Sequence, residues 1–213
     1  MITQLLTTLP QEIIDTLVGT ILGDGRMNFT TFSNASFYFE QSINHKHYLY
    51  YLFGLLSVYA NSLEPHYRRY VDGRTGRITE SYWFSLKSSP VFGIFAELFY
   101  KPVGEGYIKH IPWAHMYDLL TPRAIAYWIM DDGQYVARGG ITLCTDNYAF
   151  KDVLALMLIL EQKFGLVCSI HTKDYANRSK KYYRIYVSGK SLPNLRSLVE
   201  SYMHPTMMYK LDK

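Results

Sequence analysis

Apolar residues recur at helical spacing in two distant segments of the chain, and both segments end at an Asp-Gly pair. The first segment reads LVGTILGDG at 17–25, and the second reads IAYWIMDDG at 125–133. A period near 3.6 residues predicts an amphipathic helix in each, ending at Asp24 and at Asp132. One Asp-Gly pair is ordinary helix-end and turn chemistry. Its return in the second half of the chain indicates a duplicated unit.

The pattern downstream of each Asp-Gly pair also repeats. Alternating segments after the first pair predict two strands, a helix over 45–56, a hairpin over 66–86 and a helix over 90–100. The second pair is followed by the same order, with helices over 150–164 and 191–203 on either side of another hairpin. The sequence therefore predicts an α+β fold of two αββαββα halves related by a pseudo-twofold axis.

The duplication also predicts the domain boundaries. We place the N-terminal half at 1–105, a linker at 106–120 and the C-terminal half at 121–213. Thr121-Pro122 begins the second motif helix, with threonine as the N-cap and proline at the first helical position. The linker contains no Ser/Gly-rich tether, so we expect the two halves to pack tightly against each other.

Composition excludes several classes of protein. The 213 residues are 48% hydrophobic and 19% charged, which is typical of a folded globular protein. Apolar runs such as VLALMLIL at 153–160 are too short to cross a membrane, and residues 2–9 suit no secretory signal, so no targeting peptide is visible. The two cysteines lack metal-ligand spacing. A net charge of +4 and 20 tyrosines weakly favour an anionic partner such as a nucleic acid.

The repeated motif carries a family resemblance. The first copy keeps four positions of the pattern L-x-G-x-x-x-x-D-G, namely Leu17, Gly19, Asp24 and Gly25, with Gly23 where alanine is usual. The second copy departs from the family pattern at Tyr127, Trp128 and Asp131. With the matching elements downstream, the chain resembles a single-chain LAGLIDADG homing endonuclease over nearly its whole length. AYWIMDDG and the ending YMHPTMMYKL are similar to the branch encoded in mitochondrial introns.

The resemblance implies a metal-dependent active site at the ends of the motif helices. The helices would pack through the small residues Gly19, Gly23 and Ala126 and bring Asp24 and Asp132 together as catalytic acids. Two carboxylates at two negative helix ends repel each other unless a cation lies between them. Oxygen ligands favour Mg²⁺. We expect Mn²⁺ to substitute for it and Ca²⁺ to support binding with little cleavage.

Further candidate residues follow from the same resemblance. Gly23 and Asp131, next to the two acids, are candidate metal-site residues. Lys109 and Lys210 follow the last helix of each half and would stabilise the phosphate or polarise the attacking water. Glu40 and Gln41 close the second strand of the first half and are candidate members of the catalytic water network, with Thr145 and Asp146 as their counterparts.

The two predicted four-stranded antiparallel sheets would form a DNA-binding saddle, with one face on the helices and the other in the major groove. Alternation along 37–41 lets Phe37 and Phe39 face the helices with Tyr38 and Glu40 outward, or the reverse near the strand end. The candidate DNA-binding residues are Arg26, Asn28, Tyr38, Arg68, Arg69, Arg74, Arg77, Tyr135, Arg138, Lys173, Arg178, Lys180 and Lys181. The hairpin residues among them form two basic clusters at matching places, which suits the two ends of a long DNA site.

The leading functional hypothesis is a monomeric endonuclease that cuts both strands of a long asymmetric duplex across the minor groove, leaving short 3′ overhangs. The main alternative is a maturase that binds its own group I intron RNA without cutting DNA. A DNA-binding regulator on the same scaffold, and an unrelated α/β protein whose Asp-Gly pairs are helix caps, are two further alternatives. By resemblance the protein is expected to be mitochondrial and encoded in that organelle.

Overall fold

The chain forms the element order αββαββα twice in a computed structural model that describes residues 8–137, 139–173 and 181–211. The first copy consists of α1 Gln11–Leu22, β1 Arg26–Phe29, β2 Ala35–Ser42, α2 Lys46–Leu56, β3 His66–Val71, β4 Ile78–Ser85 and α3 Pro90–Phe99. Two strands and a short helix follow it, β5 Tyr100–Val103, β6 Gly106–Lys109 and α4 Trp113–Leu119. The second copy consists of α5 Pro122–Asp132, β7 Gly133–Tyr135, β8 Ile141–Leu143, α6 Phe150–Phe164, β9 Cys168–Lys173, β10 Tyr182–Val187 and α7 Leu192–Val199. The predicted α+β fold class is confirmed.

The described residues divide into two compact units. The first unit contains 8–14 and 24–96, and the second contains 15–23 and 97–211. Most of motif helix α1 therefore belongs to the second unit, although the strands that follow it belong to the first. The segment 106–120, for which the sequence predicts a linker, carries β6, which pairs with β5, and helix α4.

The first unit contains an antiparallel sheet with strand order β1-β2-β4-β3. Alternation along β2 turns Phe37 and Phe39 inward, the first of the two orientations that the sequence allows, and both are fully buried. Phe39 meets Tyr48 of α2 edge to face, and Phe84 of β4 meets Phe53 of α2 in the same way. Apolar side chains on one face of the sheet thus pack against helix α2, and the other face carries polar and aromatic residues.

The second unit contains a sheet with the matching order β7-β8-β10-β9. Its motif helix α5 begins as predicted, because the Thr121 hydroxyl accepts a hydrogen bond from the Ala124 amide and Pro122 takes the first helical position. Helix α6 ends at Phe164 and is capped by Gly165, whose φ of 64° is left-handed. None of the helices in the described part of the chain is long and apolar enough to span a membrane.

Candidate active site and nucleic-acid interface

Helices α1 and α5 approach each other closely within the second unit because glycine occupies the contact points on α1. A Cβ at Gly19 would overlap the Ala124 carbonyl oxygen and lie 2.7 Å from the Tyr127 Cβ. A Cβ at Gly23 would overlap the Asp131 Cβ and lie 2.8 Å from its Oδ2. Ala126 is also fully buried. Two of the three departures of the second motif, Tyr127 and Asp131, therefore fill the space that the two glycines leave open.

Lys109 caps the carboxyl end of α1. Its ammonium donates to the Ile21 carbonyl at 2.9 Å and to the Gly23 carbonyl at 3.1 Å. The buried Tyr148 hydroxyl donates to the Ile21 and Leu22 carbonyls at 3.3 and 3.2 Å, and burial raises its pKa well above the usual value. A cation at a helix carboxyl end is stabilised by the helix dipole. The ammonium is thus held at the residue directly before Asp24.

Lys210 takes the matching position at the end of α5. Its ammonium donates to the Asp131 carbonyl at 2.6 Å, and only 8% of the residue is exposed. Lysine is rarely this buried unless it is paired. In both motifs, therefore, a lysine binds the carbonyl of the residue that precedes the motif acid, Gly23 in one case and Asp131 in the other.

The carboxylate of Asp24 is held by an amide from the neighbouring strand in the first unit. Gln41 Nε2 donates to Asp24 Oδ2 at 2.6 Å, and Gln41 Oε1 lies 3.1 Å from His45 Nδ1. An amide oxygen can only accept, so His45 must carry its proton on Nδ1. Asp24 is exposed while Gln41 is buried. The structure thus joins two residues singled out from the sequence and adds His45.

The second motif has a different neighbour at the position of Gln41. In the second motif, Gly133 pairs with Leu143. In the first motif, Arg26 pairs with Tyr38, so the preceding residue Gly25 lies opposite Phe39. Phe39 and Leu143 are therefore at equivalent positions. Thr145 therefore matches Gln41 and Cys144 matches Glu40, so the predicted pairing of Thr145-Asp146 with Glu40-Gln41 is wrong by one residue. A strand register, unlike a sequence offset, fixes which residues share a position.

The side chains of Thr145 and Asp146 form hydrogen bonds with strand β10 of the second sheet. The Thr145 hydroxyl is fully buried and donates to the Tyr183 carbonyl at 2.6 Å. Asp146 accepts from Arg184 Nε at 2.7 Å and from its Nη2 at 2.5 Å, which is a bidentate pair. Asp132 itself is half-buried at the end of α5.

Glu40 lies on the other face of its sheet, at the centre of a hydrogen-bonded cluster. It accepts from the Ser81 hydroxyl at 2.6 Å, the Tyr38 hydroxyl at 2.5 Å and Arg68 Nη1 at 3.1 Å. Burial raises the pKa of Glu40, but the hydrogen bonds from Ser81 and Tyr38 and the charge of Arg68 outweigh it, so the pKa is lower than usual. Burial and the bond to Glu40 raise the pKa of Tyr38 to about 12.

A row of stacked side chains crosses this face, one from each strand of the first sheet. The Arg26 guanidinium lies 4.1 Å above the Tyr38 ring, the Tyr38 and Trp83 rings are 5.5 Å apart, and Trp83 stacks on His66 at 4.5 Å. We call these four residues the stacked row. The sequence analysis identified Arg26 and Tyr38 but missed Trp83 and His66, which only the hairpin register aligns with them.

The other DNA-binding candidates are distributed over both units. Exposed candidates of the first unit are Asn28, Arg69, Arg74 and Arg77. In the second unit Tyr135 and Lys173 are half-buried and Lys181 is exposed. Arg138, Arg178 and Lys180 lie outside the described residues. The hairpin turn that carries Arg74 is fixed by Asp72, which accepts from the Arg74 and Thr75 amides at 2.8 Å each.

The donor set of the motif ends is made of oxygen atoms alone. Asp24 and Asp132 each offer a carboxylate, while the carbonyls of Gly23 and Asp131 accept from Lys109 and Lys210. Across the described ranges 8–137, 139–173 and 181–211, no cluster of three or more His, Cys, Asp and Glu side chains could hold a metal ion. Such a set fits a hard divalent cation that takes one or two protein carboxylates and completes its shell with phosphate and water.

Comparison with known proteins decides the family. The sequence profile of the LAGLIDADG DNA endonuclease family matches residues 14–195, which is most of the chain. The chain belongs to the LAGLIDADG DNA endonuclease family. It is 33% identical over 208 residues to the cytochrome b mRNA maturase bI2 of Saccharomyces cerevisiae, covering 95% of this chain and 48% of that protein. This chain thus spans about half the length of the yeast relative.

Two further relatives have been named as endonucleases. The intron-encoded endonuclease ai4 of Dictyostelium discoideum is 37% identical over 132 residues, which is 62% of this chain and 77% of that protein. The fold is similar to the solved structure of the homing endonuclease I-WcaI bound to its DNA recognition sequence, with a TM-score of 0.82, 25% identity, and coverage of 95% of this LAGLIDADG chain and 87% of that one.

Proposed function

We propose that this LAGLIDADG protein is a site-specific double-strand DNA endonuclease. The observation that carries the proposal is the lysine bound to the carbonyl before each motif acid, at 3.1 Å for Lys109 and 2.6 Å for Lys210. Two acids with a cation beside each suit the hydrolysis of two phosphodiesters, in which negative charge develops on each phosphate. The family and the DNA-bound structural relative support the same chemistry.

We propose that Asp24 and Asp132 act together with Mg²⁺. Gly23 and Asp131 contact each other between α1 and α5, and each acid is the next residue along its chain segment. When bound, the cation would supply a water of lowered pKa and neutralise charge on the phosphate. The carboxylates would hold it, the two lysines would stabilise the scissile phosphates, and Gln41 would orient Asp24.

The substrate we propose is a long asymmetric duplex bound by a monomer. The two sheets differ in their side chains, so they would read different half-sites in the major groove. Two acids acting together would cut both strands across the narrow minor groove and leave short 3′ overhangs. By resemblance to intron-encoded relatives, we place the protein in the mitochondrion.

The test is a selection of bound duplexes from a randomised library in Ca²⁺, followed by transfer of the enriched duplex to Mg²⁺. Wild type should make one defined double-strand break, and Asp24→Asn and Asp132→Asn should bind the duplex without cutting it. Asp118→Asn, which removes an exposed carboxylate on α4, is the matched control and should cut normally. Cleavage by either motif variant at the wild-type rate would contradict the proposal.

A maturase function is the second candidate, and a specific observation favours it. The yeast bI2 maturase is 33% identical over 95% of this chain. Its test is a mobility-shift titration with the group I intron RNA that contains the reading frame, in the presence of excess unrelated duplex. Tight RNA binding that Asp24→Asn leaves unchanged would support a maturase function, with or without DNA cleavage. RNA binding no tighter than to an unrelated intron would exclude it.

A further inference from the structure

The stacked row gives one face of the first sheet an unusual surface. Arg26 and His66 are exposed and Trp83 is half-exposed, whereas Tyr38 is 7% exposed beneath the Arg26 guanidinium. Contact with the face of the Tyr38 ring restricts the positions that the guanidinium can take. The accessible part of the row is therefore an immobilised arginine at one end and two aromatic rings at the other.

The cluster beneath the row holds these rings in place. Tyr38 and Arg68 both bind Glu40, and the Arg68 guanidinium also lies 5.6 Å from the Trp83 ring. Because Glu40 accepts hydrogen bonds from three side chains of the first sheet, it holds the side chains around it in position. Rigid side chains lose little conformational entropy on binding, which favours specific contacts.

The second sheet carries different side chains at the matching positions. Extending the strand registers places Gln134, Thr142, Arg184 and His171 where the first sheet has its stacked row. Arg184 forms an ion pair with Asp146, and Gln134 and Thr142 are uncharged polar residues. At these positions the first sheet thus presents a cation and two stacked aromatic rings. The second sheet presents two polar side chains, a paired arginine, and a histidine that stacks on Tyr186 at 4.9 Å.

We propose that the stacked row reads the half-site bound by the first unit, with Arg26 hydrogen-bonded to a guanine and with Trp83 and His66 against the methyl group of a thymine. The proposal rests on the DNA-binding function given above. Arginine presents a fork of donors that matches O6 and N7 of guanine, and apolar side chains contact the thymine methyl, which is the one apolar group on the major-groove edges.

The experiment changes single atoms of the DNA. In the selected duplex, each thymine is replaced in turn by uracil, which lacks only the methyl group, and each guanine by 7-deazaguanine, which lacks only the N7 acceptor. Binding is measured in Ca²⁺ at fixed salt. In the half-site of the first unit, one uracil should weaken binding about fourfold, the value of one buried methyl group. One 7-deazaguanine should weaken it about tenfold.

Protein variants assign these losses to residues. Trp83→Gln and His66→Gln should each reduce the uracil effect towards none, and Arg26→Gln, which installs the residue found at the matching position of the second sheet, should remove the 7-deazaguanine effect. Because Trp83 is partly buried and its variant could misfold, the edge-strand variant His66→Gln tests the same contact independently. The control Arg74→Gln, in the exposed hairpin turn, should weaken binding to every duplex equally.

Each outcome has one interpretation. Coupling between the protein variant and the matching base change supports the proposal. Losses that add without coupling, or no position sensitive to uracil or 7-deazaguanine in that half-site, would overturn it while leaving the endonuclease proposal intact. Failure to enrich any duplex would overturn both.

Discussion

The two motif helices end alike along the backbone and differently in the side chains that reach their acids. Lys109 and Lys210 bind the carbonyls of Gly23 and Asp131, so the cation is placed in the same way at both ends. The neighbouring strands differ, in contrast, because Gln41 donates a hydrogen bond to Asp24 in the first motif. In the second motif the matching residue is Thr145, whose hydroxyl donates to the Tyr183 carbonyl. Duplication has kept the contacts made by the helix backbone, and the strand side chains have diverged.

The divergence predicts that the two acids respond differently to changes in the neighbouring strand. Gln41 donates to the Asp24 carboxylate at 2.6 Å and accepts a hydrogen bond from His45. The Thr145 hydroxyl, at the matching position, donates to the Tyr183 carbonyl instead. A catalytic group that is held in place by neighbours is closer to its reactive geometry. We therefore expect the two strands to be cut with unequal sensitivity to mutation.

The largest expected effect concerns what the two ends share. Lys109→Met and Lys210→Met should each slow double-strand cleavage by about 100-fold, the usual cost of removing a donor that stabilises a developing charge. Binding to the selected duplex in Ca²⁺ should change little. Rates are measured on a supercoiled plasmid carrying the target. Lys151→Met, an exposed lysine on α6, is the control, and a large loss in only one of the two variants would refute the equivalence of the two ends.

The next effect concerns strand asymmetry. Gln41→Ala should slow cutting of one strand about tenfold by releasing Asp24, so nicked plasmid should accumulate before the linear product. His45→Ala should do the same more weakly, because it acts only through Gln41. Duplexes labelled on one strand or the other report which strand slows.

Thr145→Ala is the control for strand asymmetry, since it changes the matching position of the second motif. It removes a hydroxyl committed to the Tyr183 carbonyl, so it should not produce nicked plasmid. Equal slowing of both strands by Gln41→Ala would show that Gln41 acts on the whole site and not on Asp24 alone.

The third effect concerns the contact between the helices. Gly19→Ala should lower the free energy of unfolding by about 1–3 kcal/mol, because its methyl group would overlap the Ala124 carbonyl of α5. The matched control is Gly54→Ala in helix α2, where a Cβ meets nothing within 4 Å. That variant should raise stability by about 0.5–1 kcal/mol, because alanine favours a helix more than glycine does. Thermal or urea unfolding of both variants checks the difference.

The sequence predicted the elements and the motif ends better than it predicted their neighbours. Helical period and the repeated Asp-Gly pairs located α1 and α5, and the Thr121 cap is confirmed because it depends on adjacent residues. The offset between halves, however, matched Gln41 with Asp146, one residue away from the position given by the strand register. A sequence offset cannot reveal where a strand pairing slips by one residue, and that slip changes the face on which a side chain lies.

The stacked row shows the same limit in another form. Arg26 is predicted because it follows the first acid closely, and Tyr38 because it alternates with Phe37 and Phe39 along the strand. Trp83 and His66 join them only through the pairing of β4 with β2 and of β3 with β4. Contacts across strands depend on registers that are set by the whole sheet. Tyr127 and Asp131 depart from the motif in the sequence, and the structure explains both because they lie opposite Gly19 and Gly23.

The smallest expected effect is a pH dependence that separates the first sheet from the second, because only the first has a carboxylate at the Glu40 position. Hydrogen bonds from Ser81 and Tyr38 and the charge of Arg68 outweigh burial and lower the pKa of Glu40. A carboxylate with a pKa lowered by folding stabilises the protein above its unfolded value near 4.3, and this contribution is lost as the pH falls through the folded value. Glu40→Gln should therefore cost about 1 kcal/mol of unfolding free energy at pH 6.

As the pH is lowered from 6 to 3, the difference between wild type and Glu40→Gln should shrink, because the wild-type carboxyl becomes protonated and loses its charge-assisted bonds. Glu64→Gln removes an exposed carboxylate from the loop before β3 and serves as the control, with a smaller difference at pH 6. Chemical denaturation at several pH values measures both variants. A difference in unfolding free energy that stays constant or grows towards pH 3 would contradict this prediction. It would mean that packing, and not the charge of Glu40, holds the rings of the stacked row in place.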